Sequence, residues 1–160
     1  NSSSDPDVRG VETYFLNFTT SPDALQVAAR ENATSDRSVH ELSALVRKIA
    51  LSDTLHESRE FAADVQQSLS TGLPPGNPGL KNRGVKQAPF AVLIGANMPS
   101  ILAEISFLTN PEDAAELAQP AYRERLAESL YQGVAMYVEG MSGIRVAKTV
   151  PSEALPAPAE

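Results

Sequence analysis

The chain has 160 residues, 42% of them hydrophobic, and 20 acidic against 13 basic side chains give a net charge of −7. That length fits one domain with a core of its own, and the negative balance, with no basic stripe, excludes a nucleic-acid partner. Cysteine is absent, which excludes disulfides, thiolate metal sites and cysteine nucleophiles, and no apolar run approaches the ~20 residues that span a bilayer.

Residues 1–9 are rich in Ser, Asp and Pro and read as a loop. With neither an initiator Met nor a signal peptide, this opening reads as the interior of a longer chain. Gly10 precedes Val-Glu-Thr-Tyr-Phe-Leu-Asn-Phe at 11–18, whose β-branched and aromatic content predicts a strand. Ser21-Pro22-Asp23 starts a helix with Pro at its first position, and good helix formers follow over 24–32. Within 34–70 two amphipathic helices are expected. Ser38 with Glu41 three residues on forms a capping box before the stripe Leu42, Leu45, Val46 and Ile49. Asp53 caps the second, which carries Phe61, Val65 and Leu69 on one face.

Three Pro and four Gly make 71–84 a loop. Two short apolar segments, 90–94 and 100–108, are expected as buried strands. Asn110-Pro111 starts a short helix to about Leu117, and Pro120 breaks it. Residues 121–140 form a long helix with Leu126, Leu130, Val134 and Tyr137 at helical spacing, and 141–160 end in Pro-Ala repeats that read as a flexible tail. Strands alternating with helices give an α/β domain. Three strands make a thin sheet against a typical 4–6, so further strands are expected upstream.

The chemically unusual residue is Glu104, set among apolar neighbours in Ser-Ile-Leu-Ala-Glu-Ile-Ser-Phe-Leu. In a strand it shares a face with Leu102 and Ser106. A carboxylate on a covered sheet must be paired, hydrogen-bonded or metal-linked, and burial raises its pKa toward the range a general acid/base needs. A strand end that simply reaches water is the other reading of the same pattern. Arg83 and Lys86, in Asn82-Arg-Gly-Val-Lys-Gln-Ala-Pro89, are candidates to hold anionic groups of a substrate; a solvated turn is the plainer alternative. His40 and His56 fall on the helices of 34–70 and are taken as solvated, each without a ligand partner one turn away.

Six stretches carry a resemblance: Gly10-Val-Glu-Thr-Tyr-Phe-Leu, Ala28-Ala-Arg-Glu-Asn32, Asn82-Arg-Gly-Val-Lys86, Ala88-Pro-Phe-Ala-Val-Leu93, Met98-Pro-Ser-Ile-Leu-Ala-Glu-Ile-Ser-Phe-Leu-Thr-Asn110 and Ala127-Glu-Ser-Leu-Tyr-Gln-Gly133. In this order they resemble the zinc-dependent type 3 N-acetylmuramoyl-L-alanine amidase family, from Asn1 to about Gly140. The resemblance implies a mixed sheet flanked by helices, with 1–140 as part of a catalytic domain, a helical insertion at about 34–70 and a tail at 141–160. It implies hydrolysis of the amide between N-acetylmuramic acid and L-alanine of the peptidoglycan stem peptide, outside the cytoplasm in the periplasm or cell envelope. It places the catalytic glutamate on Glu104. It also implies one zinc ion on two His and one Glu. Asn1 matches the Asn of a His-Ala-Asn type motif, which puts the last ligand two positions before it and leaves no zinc ligand in this chain, and hence no activity for this piece alone.

The insertion at 34–70 resembles the helical segment with which septal amidases cover their site until an activator protein withdraws it, and Glu41, Glu57 and Glu60 are its candidate blocking carboxylates; helices that merely pad the fold are the alternative. For the whole chain, the rival to an enzyme is a non-catalytic envelope-binding module of the same fold.

Overall fold

The computed structural model describes residues 1–33 and 53–142. Its elements are β1 (Val11–Leu16), α1 (Pro22–Glu31), α2 (Asp53–Gly72), β2 (Asn82–Ala88), a 3-10 turn (Ala91–Leu93), β3 (Ile101–Glu104), α3 (Pro111–Ala118) and α4 (Pro120–Ser142). The described strands form one mixed sheet in the order β2-β1-β3, with β1 parallel to β2 and antiparallel to β3.

All six residues of β1 are buried because the strand is central and both its faces are covered. Alternation sorts its side chains. Val11 joins Val65, Leu69 and Leu73 and, from α4, Tyr122 and Leu126; Thr13 Oγ1 donates to Gln66 Oε1 of α2 at 2.9 Å. Tyr14 and Leu16 point the other way, into a cluster with Ala24, Val27 and Ala28 of α1. One face of the sheet is therefore roofed by α2 and α4, the other by α1 together with Leu55 near the start of α2. Each fully buried Val or Leu on these faces contributes roughly 1.5–3 kcal/mol, which is what holds α2, since helices are marginal without a packed apolar face.

The helix starts follow the sequence chemistry. Ser21 Oγ accepts from Ala24 N, with Pro22 in the first turn. Asn110 Oδ1 accepts from the N–H groups of Glu112 and Asp113. The helix expected from Asp53 is α2, with Phe61, Val65 and Leu69 directed inward as anticipated. The helix expected from Ser38, with His40 and Glu41, lies outside the described residues. Residues 53–72 form a core helix against the sheet and α4.

Two strand expectations change. Residues 90–94 make a 3-10 turn, and the strand pairing with β1 is the preceding polar segment Asn82–Ala88. Pro89 has no N–H to continue the ladder, and Phe90 and Leu93 reach the core from the turn instead. A polar sequence suffices for β2 because it lies on the sheet edge in this structure and is half-exposed. The strand expected over 100–108 stops at Glu104. Its partner there is Glu12, and two residues further on would lie Gly10, whose φ of 113° turns the chain out of the sheet. Phe107 N–H bonds to the Asp113 carboxylate rather than to a strand.

Candidate functional site

Glu104 ends β3, 7% exposed, on the α1 face. Directly across the antiparallel ladder stands Glu12 of β1, 1% exposed. Opposed residues on such a ladder have Cβ atoms about 4.5–5.5 Å apart, so two carboxylates share one buried patch. They can do so only if their charges are treated differently.

Glu12 takes nearly all the compensation. Its Oε2 accepts from Arg83 Nε at 2.8 Å and Lys86 Nζ at 2.5 Å. Its Oε1 accepts from Tyr14 Oη at 2.9 Å and Asn1 Nδ2 at 3.0 Å. Burial opposes its ionisation, but the Lys86, Arg83 and Tyr14 contacts outweigh burial and hold Glu12 below the usual carboxylate range. Among the described residues no Lys, Arg or His side chain forms an ion pair with Glu104. Burial, followed by the like charges of Glu31 and Glu12, pushes its pKa up. One carboxylate is kept ionised and its neighbour is set to take up a proton, the division of labour found where acid/base chemistry is done.

A bulge makes the cation pair possible. Arg83 and Lys86 are three residues apart and would face opposite sides of a regular strand. Between the Val11–Asn82 and Thr13–Val85 pairs β2 carries one extra residue, and Gly84 has φ 79° there. The extra residue returns both side chains to the face of Glu12. Both sequence-chosen cations thus come to the Glu104 side of the sheet, but they are held by Glu12, which the sequence reading passed over. The signal was present: Glu12 sits in Val-Glu-Thr-Tyr-Phe-Leu as Glu104 sits in its own apolar run.

A third buried carboxylate fixes the frame. Asp113, fully buried, accepts from Gly10 N at 2.8 Å, Phe107 N at 3.0 Å and Arg9 Nε at 3.2 Å. It ties the start of β1 to the exit of β3 and so keeps Glu12 opposite Glu104. Tyr14, whose pKa is raised by burial and by Glu12, remains a neutral donor to Glu12.

Glu57 and Glu60 lie with Asp64 beside Tyr137 on the α4 side, away from the Glu104 face. His56 does have a carboxylate one turn on, contrary to the spacing read from the sequence: Nδ1 is 3.6 Å from Glu60 Oε1, with both side chains well exposed. Two exposed groups make a solvated pair, not a metal site. Among the described residues no three His, Cys, Asp or Glu side chains converge on a point, so the zinc implied by the resemblance finds no ligand set there.

The model of the family described as N-acetylmuramoyl-L-alanine amidase matches residues 1–136. The chain is 36% identical over 80 residues to N-acetylmuramoyl-L-alanine amidase LytC of Bacillus subtilis (strain 168), covering 50% of this chain and 15% of that one. It is 30% identical over 142 residues to N-acetylmuramoyl-L-alanine amidase AmiC of Neisseria meningitidis serogroup B, covering 83% of this chain and 33% of that one. The fold is similar to the crystal structure of N-acetylmuramoyl-L-alanine amidase from Clostridium difficile 630, with TM-score 0.56 at 24% identity, over 87% of this chain and 54% of that one. The chain therefore spans well under two thirds of the length of these relatives.

Proposed function

Since the chain belongs to the N-acetylmuramoyl-L-alanine amidase family, we propose that it supplies the proton-transfer part of a peptidoglycan amidase, which hydrolyses the amide between N-acetylmuramic acid and L-alanine of the stem peptide. The observation that carries this reading is the pair Glu12 and Glu104, neighbours across β1 and β3 with opposite protonation tendencies. Glu104 accepts a proton from the attacking water and returns it to the nitrogen of the leaving L-alanine, so the scissile C–N bond breaks with a neutral amine. Glu12 stays anionic, held by Arg83 and Lys86, and its charge raises the affinity of the Glu104 carboxylate for the proton it takes from water. Arg83 and Lys86 retain further N–H groups for anionic parts of the substrate. The zinc ion is assigned to ligands upstream of Asn1, outside this sequence; the described residues offer it no ligand set, and the 160-residue chain on its own is inactive in this reading.

The place of action is the periplasm or cell envelope, where peptidoglycan lies. Restraint of the site, with release by an activator protein, is assigned to residues 34–52 and not to 53–70. The basis is that α2, apart from Leu55 near its start, packs on the face away from Glu104, whereas Glu31, at the end of α1, acts electrostatically on Glu104.

The test is Glu104→Gln in the complete protein, assayed on purified peptidoglycan with zinc content and fold measured alongside. The amide is nearly isosteric but cannot accept the proton, so a loss of ~10²–10⁴-fold is expected. Activity within a few-fold of the parent removes Glu104 from the mechanism. An inert parent protein favours the non-catalytic envelope-binding module instead.

A further inference from the structure

The floor of the cleft beside Glu12 and Tyr14 has more cation than its own carboxylates satisfy. The cleft, of about 300 Å³, is lined by Arg30 of α1 and by Arg83 and Lys86 of β2. Arg83 and Lys86 converge on one oxygen, Glu12 Oε2, so two positive charges share a single buried negative one. Among the described residues Arg30 has no such partner: its Nε is buried without a hydrogen-bond acceptor, and no carboxylate forms an ion pair with it. A buried donor left unpaired costs about 1–3 kcal/mol and calls for an explanation. Asp5 and Asp23 also line the cleft, yet both are exposed and neither reaches these cations.

We propose that Arg30, with Arg83 and Lys86 in the same cleft, forms a subsite for a carboxylate of the substrate or of its cleaved product. The planar guanidinium suits a carboxylate better than any neutral group. Glu12 lies between the subsite and Glu104, one ladder position from the reacting centre. Such a carboxylate is borne by the peptide just beyond the scissile amide or, once the amide is cut, by the lactyl group that the cut releases. This inference rests on the amidase reading for the identity of its ligand, but the binding itself needs no hydrolysis and no metal.

The experiment is therefore a titration of this 160-residue chain, followed by calorimetry and amide NMR. Three probes are used: L-alanyl-D-glutamate, its amide L-alanyl-D-isoglutamine, and N-acetylmuramic acid. At least one carboxylate probe is expected to bind, shifting amide resonances of α1 and β2 and weakening as salt is raised. Binding of either dipeptide assigns the carboxylate to the peptide, a preference for the acid over its amide placing it on the α-carboxyl, and binding of N-acetylmuramic acid alone assigns it to the lactyl carboxylate that cleavage releases. Arg30→Gln is expected to weaken binding about tenfold with the fold unchanged, while Arg59→Gln, exposed on α2, leaves it as it was. The proposal is overturned if no probe binds, or if Arg30→Gln binds as tightly as the parent. If the carboxylates bind as expected but the complete protein cuts no peptidoglycan, the subsite stands and the amidase reading fails.

Discussion

At the scale of single residues the site is a contrast between two carboxylates of similar burial and opposite partners. The contrast has a pH signature. Glu104 is raised in the folded state, so the native protein keeps its proton to higher pH than the unfolded chain does. Its ionisation therefore costs stability as pH climbs from the ordinary carboxylate value to the raised one. Glu104→Gln is expected to be more stable than the parent at pH 7 and to lose that advantage near pH 4. Glu12 is the opposite case: lowered in the fold, it contributes stability above the ordinary carboxylate value, lost as pH falls toward its folded value. Glu12→Gln strands Arg83 and Lys86, and breaking a buried pair costs about 3 kcal/mol; the deficit is expected at pH 7 and narrows on acidification. Urea midpoints of the two variants at both pH values check both signs, and parallel behaviour of the two would sink the contrast.

At the scale of elements, two glycines show how backbone constraints build the site, and they fail differently. Gly84 has φ 79° and open space around a would-be Cβ, so Gly84→Ala costs only the left-handed backbone term, about 1–2 kcal/mol. The same change loosens the bulge that turns Arg83 and Lys86 to one face. Gly133 has no unusual φ, but a Cβ there would meet Val65 Cα at 2.6 Å, so Gly133→Ala must push α4 off α2. It is expected to be the more destabilising of the two in thermal melts, and a smaller loss than for Gly84→Ala would refute the close helix contact. The segment between α1 and α2 is tested separately. Replacing residues 34–52 by a Gly/Ser linker in the complete protein is expected to raise activity on peptidoglycan without an activator. A stable, zinc-loaded variant no faster than the parent rules out restraint by that segment.

At the scale of the whole molecule, Asp113 joins the N-terminal loop, β1 and the exit of β3 through one carboxylate, and α2 and α4 close the far face. That frame positions Glu12 and Glu104 but brings no metal-ligand set together among the described residues. The 160-residue chain is accordingly expected to retain little zinc after dialysis, because affinity falls steeply as ligands are removed; stoichiometric zinc by elemental analysis would contradict this. What the sequence by itself determined was local. The periodicity of 121–140, the Ser21-Pro22 and Asn110-Pro111 starts and the aromatic, β-branched run of β1 were legible because capping and one-face burial depend on neighbours in the chain. Glu104 stood out for the same reason, as a carboxylate among apolar neighbours. Only the tertiary structure decided the rest. The ladder chose polar Asn82–Ala88 over the more apolar 90–94 as the parallel partner of β1, since Pro89 interrupts hydrogen bonding. The β1–β3 register set Glu12 opposite Glu104, and the bulge at Gly84 brought two cations to a carboxylate about seventy residues away in sequence. Register and charge compensation join residues far apart along the chain, and no local pattern encodes which of two buried glutamates will find the cations and which will be left to hold the proton.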